Sequence, residues 1–205
     1  EKLESWPGAS ATTLAAGYGV SMQAATGKIL VAGTTDAAHF SVLRLNSDLS
    51  VDTSFGSSGI ATQAVTGGAD TAIAITEDGA GRIVVAGNAD ASGIAAQGYG
   101  LVRFAADGKS SDIVKSTGFA AATGLPGVYN QQTFSVAVAP NGRIVQAGRN
   151  ELVTNVPDNH NSVLVAYKPE APTGVMTYTA TAGNASAQVT FTAPTTNISG
   201  ASKLT

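Results

Sequence analysis

The sequence predicts an all-β chain, a propeller-like array of about three four-stranded antiparallel blades followed by a partial β-sandwich. One phrase is written three times, as Gly27-Lys28-Ile29-Leu30-Val31-Ala32-Gly33, Gly81-Arg82-Ile83-Val84-Val85-Ala86-Gly87 and Gly142-Arg143-Ile144-Val145-Gln146-Ala147-Gly148. The copies open at residues 27, 81 and 142. That period holds four short strands with their connections, which is one blade, whereas a parallel β-helix coil needs a much shorter one. No amphipathic helix of adequate length can be drawn, which excludes leucine-rich, ankyrin and tetratricopeptide arrays.

The elements follow in order. Residues 1–8 read as a lead-in or cap, residues 11–14 as a short strand and Ala16-Gly17-Tyr18-Gly19 as a turn. Residues 20–25 and 28–32 form a hairpin across Thr26-Gly27. In residues 40–45, Phe40, Val42 and Arg44 share one face while Ser41, Leu43 and Leu45 share the other. A run apolar on both faces predicts a buried strand. Residues 46–59 are turn-rich, and residues 60–65 make the fourth strand.

The second unit repeats this plan with strands at 71–76, 82–86 and 99–104, a turn at Asp78-Gly79 and a fourth strand near 119–123. The third places strands at 133–139, 143–147 and 162–167, with a turn at Asn141-Gly142, and ends one strand short. The repeated glycines flank strands and open no helix, so turn geometry accounts for them better than a phosphate loop does. Asp107-Gly108 is the counterpart of Asp48-Leu49.

Taken together, Gly-basic-Ile-Val-Val-Ala-Gly, the Leu101-Val102-Arg103-Phe104 strand and Asp52-Thr53-Ser54-Phe55-Gly56-Ser57-Ser58-Gly59 resemble the bacterial delta-60 repeat, over roughly residues 19–167. The resemblance implies a propeller-like blade of secreted and surface proteins and brings no catalytic residues. The second unit lacks the Asp-Thr-Ser-Phe-Gly linker. Residues 171–194 resemble the first two strands of a fibronectin type III domain. Such a sandwich needs about seven strands, which implies that the chain ends inside a longer protein or borrows strands. The expected organisation is repeats over 1–168, a Pro-rich linker over 169–174 and a partial fibronectin type III-like segment over 175–205.

Only 12% of the 205 residues are charged and 43% are hydrophobic, which provides for a core and suits an extracellular or cell-surface β-protein. The net charge is −3 with Lys and Arg scattered singly, so nucleic acid is not an expected partner. No apolar run approaches a bilayer span. The absence of cysteine excludes disulfides and thiolate chemistry. The start at Glu1 reads as a processed or trimmed end.

If the hairpin turns at Gly27, Gly79 and Gly142 lie on one rim, loops 34–39, 88–98 and 149–161 lie together on the other. The candidate ligand-binding residues there are His39, Asp90, Gln97, Asn150, Asp158, Asn159 and His160. No metal site, cofactor or catalytic residue is nominated. His39 and His160 read first as solvated loop side chains, and Asp48, Asp52, Asp78 and Asp107 as turn carboxylates. Tyr18, Trp6, Tyr99 and Tyr129 read first as packing residues.

The expected function is a non-catalytic structural or adhesive module, pairing with copies of itself or with neighbouring domains through exposed sheet edges, head to tail into a filament. The alternative is a carbohydrate- or ligand-binding propeller using the three loops. A hydrolase or lyase would depend on Asp36, Asp90 or Asp158.

Overall fold

The computed structural model describes residues 16–36, 38–90, 97–116, 129–152, 160–167, 177–183 and 186–192. These residues are all-β, in two four-stranded sheets, one three-stranded sheet and one two-stranded sheet. The first sheet comprises β1 (Ala16–Met22), β2 (Ile29–Thr34), β3 (Phe40–Leu45) and β4 (Ile60–Gln63). The second comprises β5 (Asp70–Glu77), β6 (Ile83–Asp90), β7 (Gln97–Phe104) and β8 (Ser111–Ser116), and the third β9 (Tyr129–Val138), β10 (Ile144–Leu152) and β11 (His160–Tyr167). A hairpin of β12 (Thr177–Gly183) and β13 (Ser186–Thr192) follows. Every sheet is an antiparallel meander in chain order.

The thrice-written phrase is the turn into the second strand and the strand itself. Its opening glycine is left-handed in each copy, with φ of 67° at Gly27, 76° at Gly81 and 78° at Gly142, a conformation that favours glycine. The turn in the second unit therefore rests on Gly81 rather than Gly79. The closing glycines, Gly33, Gly87 and Gly148, lie inside strands, so turn geometry does not explain them.

A bulge explains them. The first strand of each of the three larger sheets slips register opposite the Ala-Gly pair, leaving Tyr18, Ile73 and Phe134 without a cross-strand partner. A β-bulge bends its strand and brings the backbone inward. A Cβ on Gly33, Gly87 or Gly148 would collide with the carbonyl oxygen of Ala16, Thr71 or Gln132 respectively.

Several boundaries move from the sequence expectation. Residues 16–19 open β1 rather than forming a turn, because Ala16 and Gly17 pair with Thr34 and Gly33 beyond the bulge. The fourth strand of the second sheet is β8 rather than 119–123, since the turn closed by Gly108 N–H on the Ala105 carbonyl (2.8 Å) sends the chain straight back along β7. Strands also run into the expected loops, with Asp90 paired to Gln97 and Glu151 to His160. The expected strand at 11–14 and the segment 119–123 lie outside the described residues.

The three larger sheets stack face to face, with the first strands β1, β5 and β9 adjacent. At Gly19, an added Cβ would come 2.7 Å from the Ile73 carbonyl oxygen, so β1 tolerates no side chain there. One core cluster joins Leu30, Ala32, Phe40, Val42 and Ala61 of the first sheet to Ile75, Ile83, Val85, Val102 and Phe104 of the second. A second joins Val84, Ala86 and Leu101 of the second sheet to Val136 and Ile144 of the third. Phe40 through Leu45 are buried throughout, as expected of a strand apolar on both faces.

Candidate functional site

β2, β6 and β10 share one register with the strands that follow them, so their C-terminal ends lie at one rim. Asp36 and His39 come together there: His39 Nδ1 lies 2.8 Å from each carboxylate oxygen of Asp36. Burial acts to raise the Asp36 carboxyl, but the hydrogen bonds from His39 and from the Ala38 N–H outweigh it and hold the group below its ordinary value. Asp90 and Gln97 meet as cross-strand partners, as do Asn150 and Asn161. The Asp90 carbonyl accepts a 2.6 Å bond from Thr66 Oγ1.

Asn150 is 1% exposed, and its side-chain oxygen accepts from the Tyr99 hydroxyl at 3.1 Å. It belongs to the seam between sheets rather than to a solvent-facing loop. His160 is placed in β11 opposite Glu151. Asp158 and Asn159 lie outside the described residues. Among the described residues, no group of three or more His, Cys, Asp or Glu is placed to share a metal ion, and no helix is long and apolar enough to cross a membrane.

The seams hold most of the specific chemistry. Phe40 opens β3 and Tyr99 holds the same register position in β7, each two strand positions before a leucine or valine and four before an arginine. The Phe40 ring presses on the next sheet, its Cζ standing 2.7 Å from where a Cβ on Gly87 or Gly100 would lie. Tyr99 does the same to Gly148, with Cε1 at 2.8 Å. Gly87 and Gly148 thus each admit both their own bulged strand and an aromatic ring from the preceding sheet, while Gly33 admits the bulged strand. Those rings are the wedges that set one sheet against the next.

The match to a known family falls on this architecture. Residues 24–55 match the family model described as Domain of unknown function (DUF5122) beta-propeller. The matched stretch begins at the turn before β2 and ends at Phe55, so it contains β2, β3 and the first four residues of the linker phrase. No curated protein matches the chain. The stacked sheets are accordingly propeller-like blades.

The linker phrase latches the first blade to the second. Asp52 Oδ2 accepts from Arg44 Nε at 2.7 Å and from Lys28 Nζ, while its Oδ1 accepts from the Ser54 hydroxyl at 2.6 Å. Burial works against the charged form of Asp52, but these hydrogen bonds, together with the charge of Arg44, hold it well below the usual carboxylate range. Arg44 also lies 4.5 Å over the Phe55 ring and donates to the Ala106 carbonyl of the second blade at 2.7 Å. Phe55 covers Gly108, and the Gly56 N–H donates to the Asp107 carbonyl at 2.8 Å. In the second blade, which lacks the phrase, Arg103 turns instead to Asp112 of its own sheet.

The second seam adds polar groups to its apolar cluster. Thr133 Oγ1 donates to the Gly87 carbonyl at 2.7 Å and accepts from Gln146 Nε2 at 2.7 Å, and Gln146 Oε1 accepts from the Tyr167 hydroxyl at 2.7 Å. The Tyr99 N–H donates to Gln131 Oε1 at 3.1 Å. Such buried polar groups are tolerated because they bond to one another.

Reading along the chain singled out rim residues and passed over the wedge, the latch and the seam. The wedge had a signal in the aligned strands Phe40-Ser41-Val42-Leu43-Arg44-Leu45 and Tyr99-Gly100-Leu101-Val102-Arg103-Phe104. Gln131 and Thr133 carried none, since their partners Tyr99 and Gly87 are assigned only by the stacking.

Proposed function

We propose that this chain is a non-catalytic structural or adhesive repeat module of an extracellular or cell-surface protein, assembling head to tail. One observation carries the reading: the array leaves apolar residues uncovered at both ends. Val20 and Met22 on β1 are 71% and 66% exposed, and Leu164 on β11 is 76% exposed. Large apolar side chains grouped in this way mark contact surfaces. Arg44, Tyr99 and Thr133 spend their hydrogen bonds on holding one blade to the next, which supports the structural part of the reading. The low charge content supports the extracellular part.

The blades of this chain join by their faces and not by strand pairing. That favours face stacking over edge pairing as the mode of assembly. Electron microscopy and light scattering of the purified chain over a concentration series test the reading, with rings or fibres expected. Monomers throughout, together with glycan-array binding that is lost when loop 34–39 is replaced, would point to the ligand-binding propeller instead.

A further inference from the structure

Successive blades superpose by register, so each exposed end can be compared with a seam that is already formed. Ala86 pairs with Leu101 in the second blade, and Ala147 pairs with Leu164 in the third. Val84, Ala86 and Leu101 thus correspond to Val145, Ala147 and Leu164. The first three are completely buried against Val136 and Ile144 of the next blade.

The same comparison applies at the other end. Val136 pairs with Gln146 and Val138 with Ile144, as Val20 pairs with Val31 and Met22 with Ile29. Val20, Met22 and Ile29 are therefore the first-blade counterparts of Val136, Val138 and Ile144. The exposed residues at the two ends are the two halves of a cluster that the chain already builds at both of its seams, with Leu30, Ala32 and Val42 against Ile75 and Ile83 at the first and Val84, Ala86 and Leu101 against Val136 and Ile144 at the second.

The departures from the repeat also agree between the ends. By register, Ser162 stands where Phe40 and Tyr99 supply the wedge, and Ala166 stands where the first two blades carry Arg44 and Arg103. The third blade thus presents a face without its usual bulk. On the first blade, Ser41, Leu43 and Leu45 are already buried, and so is Gly33, the counterpart of the two wedge-receiving glycines. Bulk is missing from one face where the other is already filled. Both faces are neutral across their middle, with Arg149 at the rim of the third blade, so no charge repels their approach.

We infer that the outward face of the third blade docks on the outward face of the first blade in a second copy of this chain, seating Leu164 against Val20, Met22 and Ile29. The contact is heterologous, so it propagates as a ring or an open filament. This inference rests on the structural-module reading and adds the occupant, the polarity and the register.

The chain has no cysteine, which makes disulfide trapping unambiguous. Val20→Cys and Leu164→Cys, made separately in the full chain and mixed under mild oxidation, are expected to yield mainly the mixed dimer. The double variant is expected to yield a ladder of covalent oligomers. Leu164→Arg changes an exposed position, so it should leave the melting temperature of the dilute chain unchanged while lowering self-association at least tenfold by sedimentation. The inference is overturned if the double variant closes only within one chain, if Val20→Cys pairs chiefly with itself, or if Leu164→Arg assembles like the parent. Fibres or rings without the mixed crosslink would leave the structural-module reading standing and remove this interface.

Discussion

The Cζ of Phe40 stands 2.7 Å from the point where a Cβ on Gly87 would lie, and the Thr71 carbonyl closes the same space from the other side. A methyl group there has nowhere to go, because one neighbour is a ring wedged between blades and the other is backbone. Gly87→Ala is expected to cost about 3 kcal/mol through overpacking. Phe40→Ala is expected to cost about 3–5 kcal/mol by emptying the seam. Urea unfolding of each variant measures both, and a loss below about 1 kcal/mol for Phe40→Ala would mean that the wedge does not hold the blades.

The latch predicts an acid dependence. Asp52 sits below the ordinary carboxylate range in the folded chain, so its contribution is present in full above the unfolded value of about 3.9 and is lost as pH falls toward the folded one. Asp52→Asn leaves Arg44 and Lys28 without their shared acceptor and is expected to cost about 3 kcal/mol at neutral pH. The gap between parent and variant should narrow as pH falls below about 4. A gap that stays constant from pH 7 to pH 3 would exclude the ionised carboxylate as its source.

Leu49 holds a left-handed backbone, with φ of 68°, where the second blade has Gly108 with φ of 71°. A non-glycine residue pays about 1–2 kcal/mol for that conformation, and glycine returns part of it as unfolded-chain entropy. Leu49→Gly is therefore expected to stabilise the chain by about 0.5–1 kcal/mol. A raised urea midpoint with an unchanged slope is the confirming result.

Tyr99 tests the second seam from the alkaline side. Burial pushes its hydroxyl up to about 12 from the ordinary 10.0, so the folded chain keeps a proton that the unfolded chain releases. Stability is expected to fall between pH 10 and about 12. Tyr99→Phe removes the donor to Asn150 and to the Arg149 carbonyl, with an expected cost of about 1–2 kcal/mol at neutral pH. It should also show a shallower alkaline decline than the parent.

The seams were less legible than the blades for a physical reason. The interval between glycines and the alternation of strands are local properties, and both are written along the chain. Residues 40–45 read as a buried strand because both faces are apolar, and they are one. The rim residues stood out because His39 and Asp90 look chemical in isolation. Asn150 looked equally so, yet its side chain is committed to Tyr99, which lies 51 positions away in the chain.

By itself the sequence determined that the described residues are all-β, that the chain is repetitive with three copies of one unit, and that the third copy shows three strands among the described residues where the others show four. Period, apolar alternation and turn glycines suffice for that, since each acts within a single blade. Only the tertiary structure decided why the phrase ends in glycine, because that residue answers to a bulged carbonyl in its own blade and, at Gly87 and Gly148, to a ring from the one before. It also decided which apolar residues remain uncovered. Leu101 and Leu164 occupy the same place in their blades, and whether a further blade lies against that place makes one a core residue and leaves the other at the surface.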